Sequence, residues 1–194
     1  MLPRVSRSNV ASPTFRSARP ADAAAVARLH ADSWRRHYRG AYSDAFLDGD
    51  VVGDRLDVWA ERLREPDPGR CTILAEDGGV VGFANTSFDD DPTWGALLDN
   101  LHIAHSHRRR GIGARLMALT AEALLERPEP TGLYLWVLEQ NRDAQAFYEA
   151  CGGRCVERAP VPPPGGIASR LTGSPMGLRY VWSQPGDLLG QGSR

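Results

Sequence analysis

One stretch of the chain, residues 95–115, constrains the fold most, because it predicts a strand, a basic turn and the start of a helix. The turn ends in three consecutive arginines, Arg108, Arg109 and Arg110. The helix has apolar residues spaced four, three and four apart, typical of one buried face: Ile112, Leu116, Leu119 and Ala123. N–H groups in the first turn of a helix have no internal partner and carry partial positive charge. We therefore expect an anion site here, suited to a diphosphate.

Two glycines, Gly111 and Gly113, stand at this helix start, where a missing Cβ leaves room for a ligand to approach the N–H groups. A Walker loop needs a lysine after its last glycine, and all 23 Lys and Arg residues of this chain are arginine. The lack of lysine also excludes Schiff-base chemistry on that side chain. A dinucleotide-binding fingerprint needs a third glycine where Leu116 stands. Both of these phosphate-binding motifs are therefore excluded.

The remaining pattern, R-x-x-G-x-G at Arg108, Gly111 and Gly113, resembles the coenzyme A pyrophosphate loop of the GNAT superfamily of N-acetyltransferases. Alone it also fits an ordinary basic turn before a helix. A second match follows the apolar strand predicted at 133–138, with the asparagine, alanine, tyrosine and closing glycine of that family in the same order: Asn141, Ala144, Tyr148 and Gly152. The resemblance spans about 15–182 and is specific over 101–153.

The resemblance implies an α/β (α+β) fold with a central, mixed, mostly antiparallel seven-stranded sheet and about four helices. Residues 14–183 are expected to form one domain between flexible tails at 1–13 and 184–194. Acetyl-CoA is the implied cosubstrate, without a metal. The residues implied to contact it are Leu101, His102, Ile103, Arg108, Arg109, Arg110, Gly111, Ile112, Gly113, Ala114, Arg115, Asn141, Ala144, Phe147 and Tyr148.

The resemblance also assigns a general acid, Tyr148, whose hydroxyl would protonate the departing thiolate. The base is less clear, because many family members have a glutamate on the central strand and this chain does not. Asp99 and His102 are the nearby titratable groups, and strand alternation predicts that they face opposite sides. Asp99 would share the core-directed face of Leu101 and Ile103, leaving His102 and Asn100 toward the substrate.

His102 has a suitable pKa range to relay a proton through water, although a packed histidine is an equally good interpretation. No dedicated base is needed if the amine arrives partly neutral. Trp34 and Tyr38, followed by Tyr42 at the same helical spacing, are candidates for the substrate pocket or for a helix face packed on the sheet. The acids at 89–91 are candidates for attracting a cationic substrate, or for a solvated loop.

Composition limits the partners. A net charge of −1 and a hydrophobic content of 42% do not suggest nucleic acid or a membrane surface. Cys71, Cys151 and Cys155 make neither a disulfide framework nor a spaced metal site, so we expect reduced thiols in the cytoplasm. The exclusive use of arginine indicates GC-rich coding and hence a bacterial source. No segment has the character of a signal peptide or a membrane span.

Three functions fit these observations. The first is an N-acetyltransferase acting on a small-molecule or peptide amine, with a homodimer left open. The second is a coenzyme A-binding sensor without turnover, against which Tyr148 argues. The third is another nucleotide enzyme, which the missing lysine and glycine disfavour.

Overall fold

The computed structural model describes residues 12–129 and 131–191. These residues form one seven-stranded sheet in the order β1-β2-β3-β4-β5-β7-β6. The strands are β1 (Thr14–Ser17), β2 (Arg70–Glu76), β3 (Val80–Asp91), β4 (Gly95–Ile103), β5 (Leu133–Leu138), β6 (Arg154–Pro160) and β7 (Met176–Trp182). The α-helices of the described chain are α1 (Ala23–His37), the single-turn α2 (Asp44–Leu47), α3 (Val51–Arg62), α4 (Ile112–Leu125) and α5 (Arg142–Ala150).

The sheet is mixed because β4 and β5 are parallel, whereas the other neighbouring strands are antiparallel. This confirms the predicted fold class. The two parallel strands pair only at their beginnings, Ala96 with Leu133 and Leu97 with Tyr134. Beyond these pairs, β4 and β5 are not paired with each other, so a slot opens between them in the middle of the sheet.

Each face of the sheet has its own core. On the α4 face, Leu98, Leu133 and Leu135 pack with Leu116 of α4 and with other apolar residues. On the α1 face, helices α1 and α3 bury Val26, Trp59 and Phe83, and Leu138 at the end of β5 packs with Trp34 of α1. Since successive strand residues point to opposite faces, Tyr134 and Trp136 of β5 lie on the α1 face.

A β-bulge in β4 changes the predicted alternation. Asn85 pairs with Asn100 and Thr86 with Leu98, which leaves Asp99 as the extra residue. Asp99 contacts Arg62 of α3, and His102 contacts Ser33 of α1, so both side chains lie on the α1 face. The prediction that Asp99 and His102 face opposite sides is therefore wrong, because one inserted residue shifts the pattern of every residue after it.

The end of the chain is also more ordered than expected. A 3-10 segment, Pro185–Gln191, follows β7, and its Leu188 is 2% exposed in the same core as Leu124 of α4. The prediction of a flexible tail from residue 184 is wrong for this segment, because an apolar side chain anchors it. The other predicted tail residues, 1–11 and 192–194, lie outside the described residues.

Candidate active site

The slot between β4 and β5 widens into a cavity of about 540 Å³. Its walls come from Leu98–Ile103 and Leu135–Val137, and the start of α4, α5 and part of α1 complete it. The residues predicted from the sequence line this cavity, with three exceptions: Arg110, Arg115 and Trp34. Side chains that are distant along the chain therefore converge where the two parallel strands separate.

The turn before α4 has an unusual backbone. Arg109 and Gly111 have φ values of 59° and 78°, in the left-handed region, which is strained for arginine and favours glycine. The N–H groups of residues 109–114 donate no hydrogen bond to a described residue, and Arg115 N–H is the first to bond back, to the Gly111 carbonyl at 3.0 Å. Successive free N–H groups of this kind form a concave anion-binding surface. The backbone therefore offers a surface suited to an anion at the turn where the sequence predicts a diphosphate site.

The two positions of this turn require glycine for different structural reasons. Gly111 has open space where a Cβ would stand, so its φ alone requires glycine. A Cβ on Gly113 would lie 3.2 Å from Cζ of Phe147 and 3.5 Å from Cδ1 of Ile103. Gly113 thus lets α5 approach α4 closely, in addition to any room that it leaves for a ligand. The prediction that both glycines simply clear a path for the ligand is too simple for Gly113.

The arginines around the turn are not equivalent. Arg110 pairs with Asp77 at 3.0 Å and Arg115 with Glu122 at 2.8 Å, both away from the cavity. Arg108 lies at the cavity and pairs with Asp143 at 3.2 Å, with both side chains well exposed. Because exposed pairs are screened by water and salt, each contributes little energy by itself. Arg108 and Arg109 are the arginines that can contribute charge to the cavity.

Tyr148 extends from α5 into the cavity and is 8% exposed. Its ring packs against Tyr180 and Trp182, with centroid distances of 6.0 and 6.1 Å. The hydroxyl makes no hydrogen bond to any described residue. Burial raises the pKa of Tyr148 above its usual value, so the hydroxyl is protonated at neutral pH and available as a donor.

Asn141 begins α5 as its N-cap, where its side-chain oxygen accepts the N–H of Ala144 at 3.3 Å. Its side chain also lines the cavity. The cap fixes the direction of α5, and α5 in turn carries Phe147 and Tyr148. Asn141 therefore positions the proposed acid whether or not it contacts the coenzyme.

On the α1 face, Asp99 is held by two donors. Arg62 Nη1 donates to its Oδ2 at 2.6 Å, and Asn100 Nδ2 donates to the same atom at 2.7 Å. Asn100 is 6% exposed, and Tyr38, the residue directly after α1, lines the same side of the cavity. The charge of the Asp99 carboxylate is thus paired with Arg62, and Asp99 is not an isolated base.

His102 lies in the cavity wall, and its Nδ1 shares a hydrogen bond of 2.8 Å with Ser33 Oγ. Its ring packs beside His30 and Phe83, with centroid distances of 4.7 and 5.2 Å. Burial lowers the pKa of His102 to about 4, because the charged imidazolium loses its hydration there. The imidazole is therefore neutral at the pH of a cell.

Some sequence expectations are not met here. Trp34 is 7% exposed and packs in a core cluster, with the Arg55 guanidinium 4.3 Å above its ring. Helix packing, the other interpretation of its spacing with Tyr38 and Tyr42, is the observed one for Trp34. Sequence reasoning also missed Ser33, Arg62 and Trp136 as residues around the slot. Only Trp136 carried a signal, since alternation in β5 places this large aromatic opposite the residues of the apolar core.

The acids at 89–91 are already engaged by neighbours. Asp89 pairs with Arg127 at 2.7 Å, and Asp90 accepts the hydroxyl of Tyr134 at 2.5 Å. Asp91 accepts the N–H groups of the two residues that follow Pro92. These contacts within and beside the loop account for the three acidic side chains, so the prediction that they attract a cationic substrate gains no support.

Across 12–129 and 131–191, no group of three or more His, Cys, Asp or Glu side chains is arranged to hold a metal ion. No helix in those same ranges combines the length and the apolar character that a membrane crossing requires.

Comparisons with known proteins agree with the geometry. The model of the acetyltransferase (GNAT) family matches residues 31–153. YuaI of Bacillus subtilis, described as an uncharacterized N-acetyltransferase, is 29% identical over 139 residues, which are 71% of this chain and 78% of the relative. Rv2775 of Mycobacterium tuberculosis, described as a probable N-acetyltransferase, is 30% identical over 139 residues, or 70% and 76% of the two chains.

Solved structures show the same fold at lower identity. The PaiA N-acetyltransferase of Thermoplasma acidophilum, in complex with coenzyme A, has a TM-score of 0.67 at 18% identity, covering 89% of this chain and all (100%) of its own. NAA60 of Arabidopsis thaliana, in complex with acetyl-CoA, has a TM-score of 0.62 at 17% identity, with 88% and 98% covered. The family match over most of the chain, together with the slot and its helix start, shows that this protein belongs to the GNAT family of acetyltransferases.

Proposed function

We propose that this acetyltransferase moves an acetyl group from acetyl-CoA to a primary amine of a small molecule or peptide, by direct attack of the amine. The observation that carries the proposal is the slot between β4 and β5, lined both by the start of α4 and by residues of α1. Fold relatives solved with acetyl-CoA and coenzyme A support acetyl-CoA as the donor. The location proposed for the enzyme is the cytoplasm of a bacterium, as the arginine usage and thiols suggest.

In this proposal, the backbone holds most of the donor. The free N–H groups of residues 109–114 bind the diphosphate, with charge added by Arg108 and Arg109. The edge of β4 that faces β5 has no ladder partner after Leu97, so its polar groups can pair with the pantetheine arm as an added strand would. The strand therefore guides the thioester toward the α1 face.

The chemistry forms one bond and breaks one. The amine nitrogen bonds to the acetyl carbon, the carbon–sulfur bond breaks, and Tyr148 donates its hydroxyl proton to the departing sulfur. A backbone N–H near the β4 bulge at Asp99 is proposed to stabilise the oxygen of the tetrahedral intermediate. The proton lost by the amine leaves through water.

Neither candidate base is arranged as a strong one. Asp99 is compensated by Arg62 and Asn100, and a pKa of about 4 makes His102 a weak proton acceptor at neutral pH. We therefore assign His102 and its partner Ser33 the role of orienting the water that takes the proton. This assignment predicts that the enzyme uses the neutral fraction of its amine.

Thiol release in the presence of a mixed panel of amines tests the proposal, with mass spectrometry to detect acetylated products. We expect release of coenzyme A to depend on an added amine. A protein that binds acetyl-CoA in calorimetry but releases no thiol with any amine would instead be a coenzyme A-binding sensor. Stabilisation by acetyl-CoA but not by ATP would separate both from another nucleotide enzyme.

A further inference from the structure

Arg179 of β7 lies on the α1 face, one strand beyond β5 and the slot, and the mechanism above does not use it. Its register partners are Trp136 on β5 and Glu157 on β6. Directly opposite residues of antiparallel strands share a face, so the Arg179 side chain lies next to Trp136, which lines the cavity. The side chain of Arg179 is 13% exposed.

Three aromatic rings surround this guanidinium. Its Cζ lies 5.1 Å from the ring centre of Trp94, 5.1 Å from that of Tyr134 and 4.7 Å from that of Trp136. Aromatic faces attract a cation but accept few of its hydrogen bonds. The rings therefore hold the guanidinium in place without satisfying its N–H groups.

The donors of Arg179 are indeed short of acceptors. Nε lies 3.0 Å from Glu157 Oε2 but is not aligned for a hydrogen bond, and Nη1 is buried without an acceptor among the described residues. Nη2 makes no hydrogen bond to a described residue either. Because Nε and Nη1 are fully enclosed, Nη2 is the nitrogen that a ligand can reach. Its unused donors lie next to Trp136 at the cavity wall, where a charge-assisted hydrogen bond would favour an anionic ligand.

The acidic side chains near Trp136 and Arg179 already have partners, so they do not offer a site for a polycation. Asp99 is compensated by Arg62, Asp90 accepts the Tyr134 hydroxyl, and Glu157 lies against Arg179. Trp136 retains 39% exposure, which leaves part of a flat apolar surface to the cavity. Arg179 below that ring makes it a poorer partner for a second cation than for an apolar or planar group.

We propose that Arg179 and Trp136 form the acceptor subsite, and that it takes an amine carrying a carboxylate on an apolar or aromatic frame. The frame stacks on Trp136, the carboxylate pairs with Arg179, and the amine extends into the slot. The inference rests on the proposed function, since it names the class of amine that the same site acetylates.

Matched pairs of amines test it. We would measure kcat/KM for 4-(aminomethyl)benzoate and its carboxamide, for 5-aminopentanoate and its carboxamide, and for spermidine as the polycation. A charge-assisted contact should give each acid an advantage of about tenfold or more over its amide, larger for the benzoate because of Trp136. Spermidine should be the poorest acceptor.

The Arg179→Gln variant should lose the preference for acids, and Arg179→Lys should keep part of it because the charge remains. Arg158→Gln is the matched control, since Arg158 is an exposed β6 arginine paired with Glu139 at 2.8 Å. It should keep the full preference. Unchanged acetyl-CoA affinity in calorimetry shows that each variant is folded.

Equal rates for acid and amide in the wild type, or a preference that survives in Arg179→Gln, would overturn the subsite while leaving amine acetylation intact. If no amine is acetylated, the proposed function fails, and calorimetry of the same pairs with the coenzyme A-bound protein decides the subsite separately. Acid binding that is lost in Arg179→Gln supports it, and the absence of acid binding overturns it.

Discussion

The two sides of the slot are built from different parts of the chain. The side proposed to bind the coenzyme, called the coenzyme side, offers backbone N–H groups of a single turn, residues 109–114, followed by one helix. The side proposed to bind the acceptor, called the acceptor side, uses side chains from several elements, among them Arg62 of α3, Asp99 of β4 and Trp136 of β5, together with Tyr38 directly after α1. A backbone site needs a short motif and tolerates changes around it, whereas the acceptor side can be rebuilt one side chain at a time. On the proposed assignment, this difference would let the fold keep its donor site while its acceptor side changes.

The largest effect should come from Tyr148, which lies between the two sides. Tyr148→Phe keeps the ring and its packing but removes the donor, so turnover should fall by about 10²–10⁴-fold. Affinity for acetyl-CoA should barely change, because the hydroxyl contributes mainly in the transition state. Steady-state rates and calorimetry on one preparation measure both quantities.

Tyr180→Phe is the control for this test. Tyr180 is also buried and packs on Tyr148, but its hydroxyl donates to Glu149 at 2.7 Å and does not line the cavity. Its removal should affect stability more than rate. Turnover within a few-fold of wild type in Tyr148→Phe would show that another group or water protonates the sulfur.

The backbone character of the coenzyme side is tested by Gly113→Val. The added side chain would push Phe147 toward the cavity and obstruct the N–H groups. Loss of even one hydrogen bond to a charged group corresponds to roughly 10–100-fold in acetyl-CoA affinity. Gly79→Val, at a hairpin glycine with no atom within 4 Å of its Cβ position, should bind normally. Unchanged affinity in a folded Gly113→Val protein would contradict the site.

On the acceptor side, we expect His102 to make the free energy of unfolding depend on pH. His102 has a pKa of about 4 in the folded protein, below the value near 6.5 of an unfolded chain. Between these values the unfolded state binds more protons, so His102 by itself should make the free energy of unfolding rise with pH from about 4 to 6.5, by up to about 3 kcal/mol. Burial also lowers the pKa of the neighbouring His30, which adds to the rise in the same direction. Denaturant titrations across this range should show a weaker rise for His102→Gln, and equal slopes would mean that His102 is hydrated.

The smallest effect is expected from the charge on the coenzyme side. Arg108→Ala should weaken acetyl-CoA binding by only a few-fold, because Arg108 is exposed and already paired with Asp143. The wild-type advantage should shrink as salt rises. Arg115→Ala removes an arginine outside the cavity and should have no effect. A salt-independent loss in Arg108→Ala would indicate packing instead of charge.

The contrast between a site built from one local turn and a site built from distant side chains also separates what could be predicted from the sequence from what could not. Gly111, Asn141 and Tyr148 were predicted to lie at the site because the family resemblance rests on short motifs, and all three line the cavity. Asp99 was assigned to the wrong face because a bulge leaves no mark in a run of mixed residues. Trp34 was ambiguous because a helical stripe of aromatics fits a pocket or a core equally well.

Arg179 and Leu188 were missed for another reason. The environment of each is formed by residues far away in the chain. Arg179 packs against the ring of Trp94, and Leu188 lies in the same core as Leu124. No local period can indicate such pairings, since they depend on which strands become neighbours. The strand order, and with it the acceptor side, is a property of the whole fold.

That order has a consequence for how the protein is made. Strand β7 lies between β5 and β6, although it is synthesised after both. A nascent chain that has not yet produced Met176–Trp182 therefore exposes the open edges of two strands, which are sites for pairing with other chains. Once β7 has formed, it pairs with both β5 and β6 and covers these edges, and the segment that follows it adds Leu188 to the core that contains Leu124 of α4. We therefore expect a variant that lacks β7 to aggregate before it shows weaker acetyl-CoA binding.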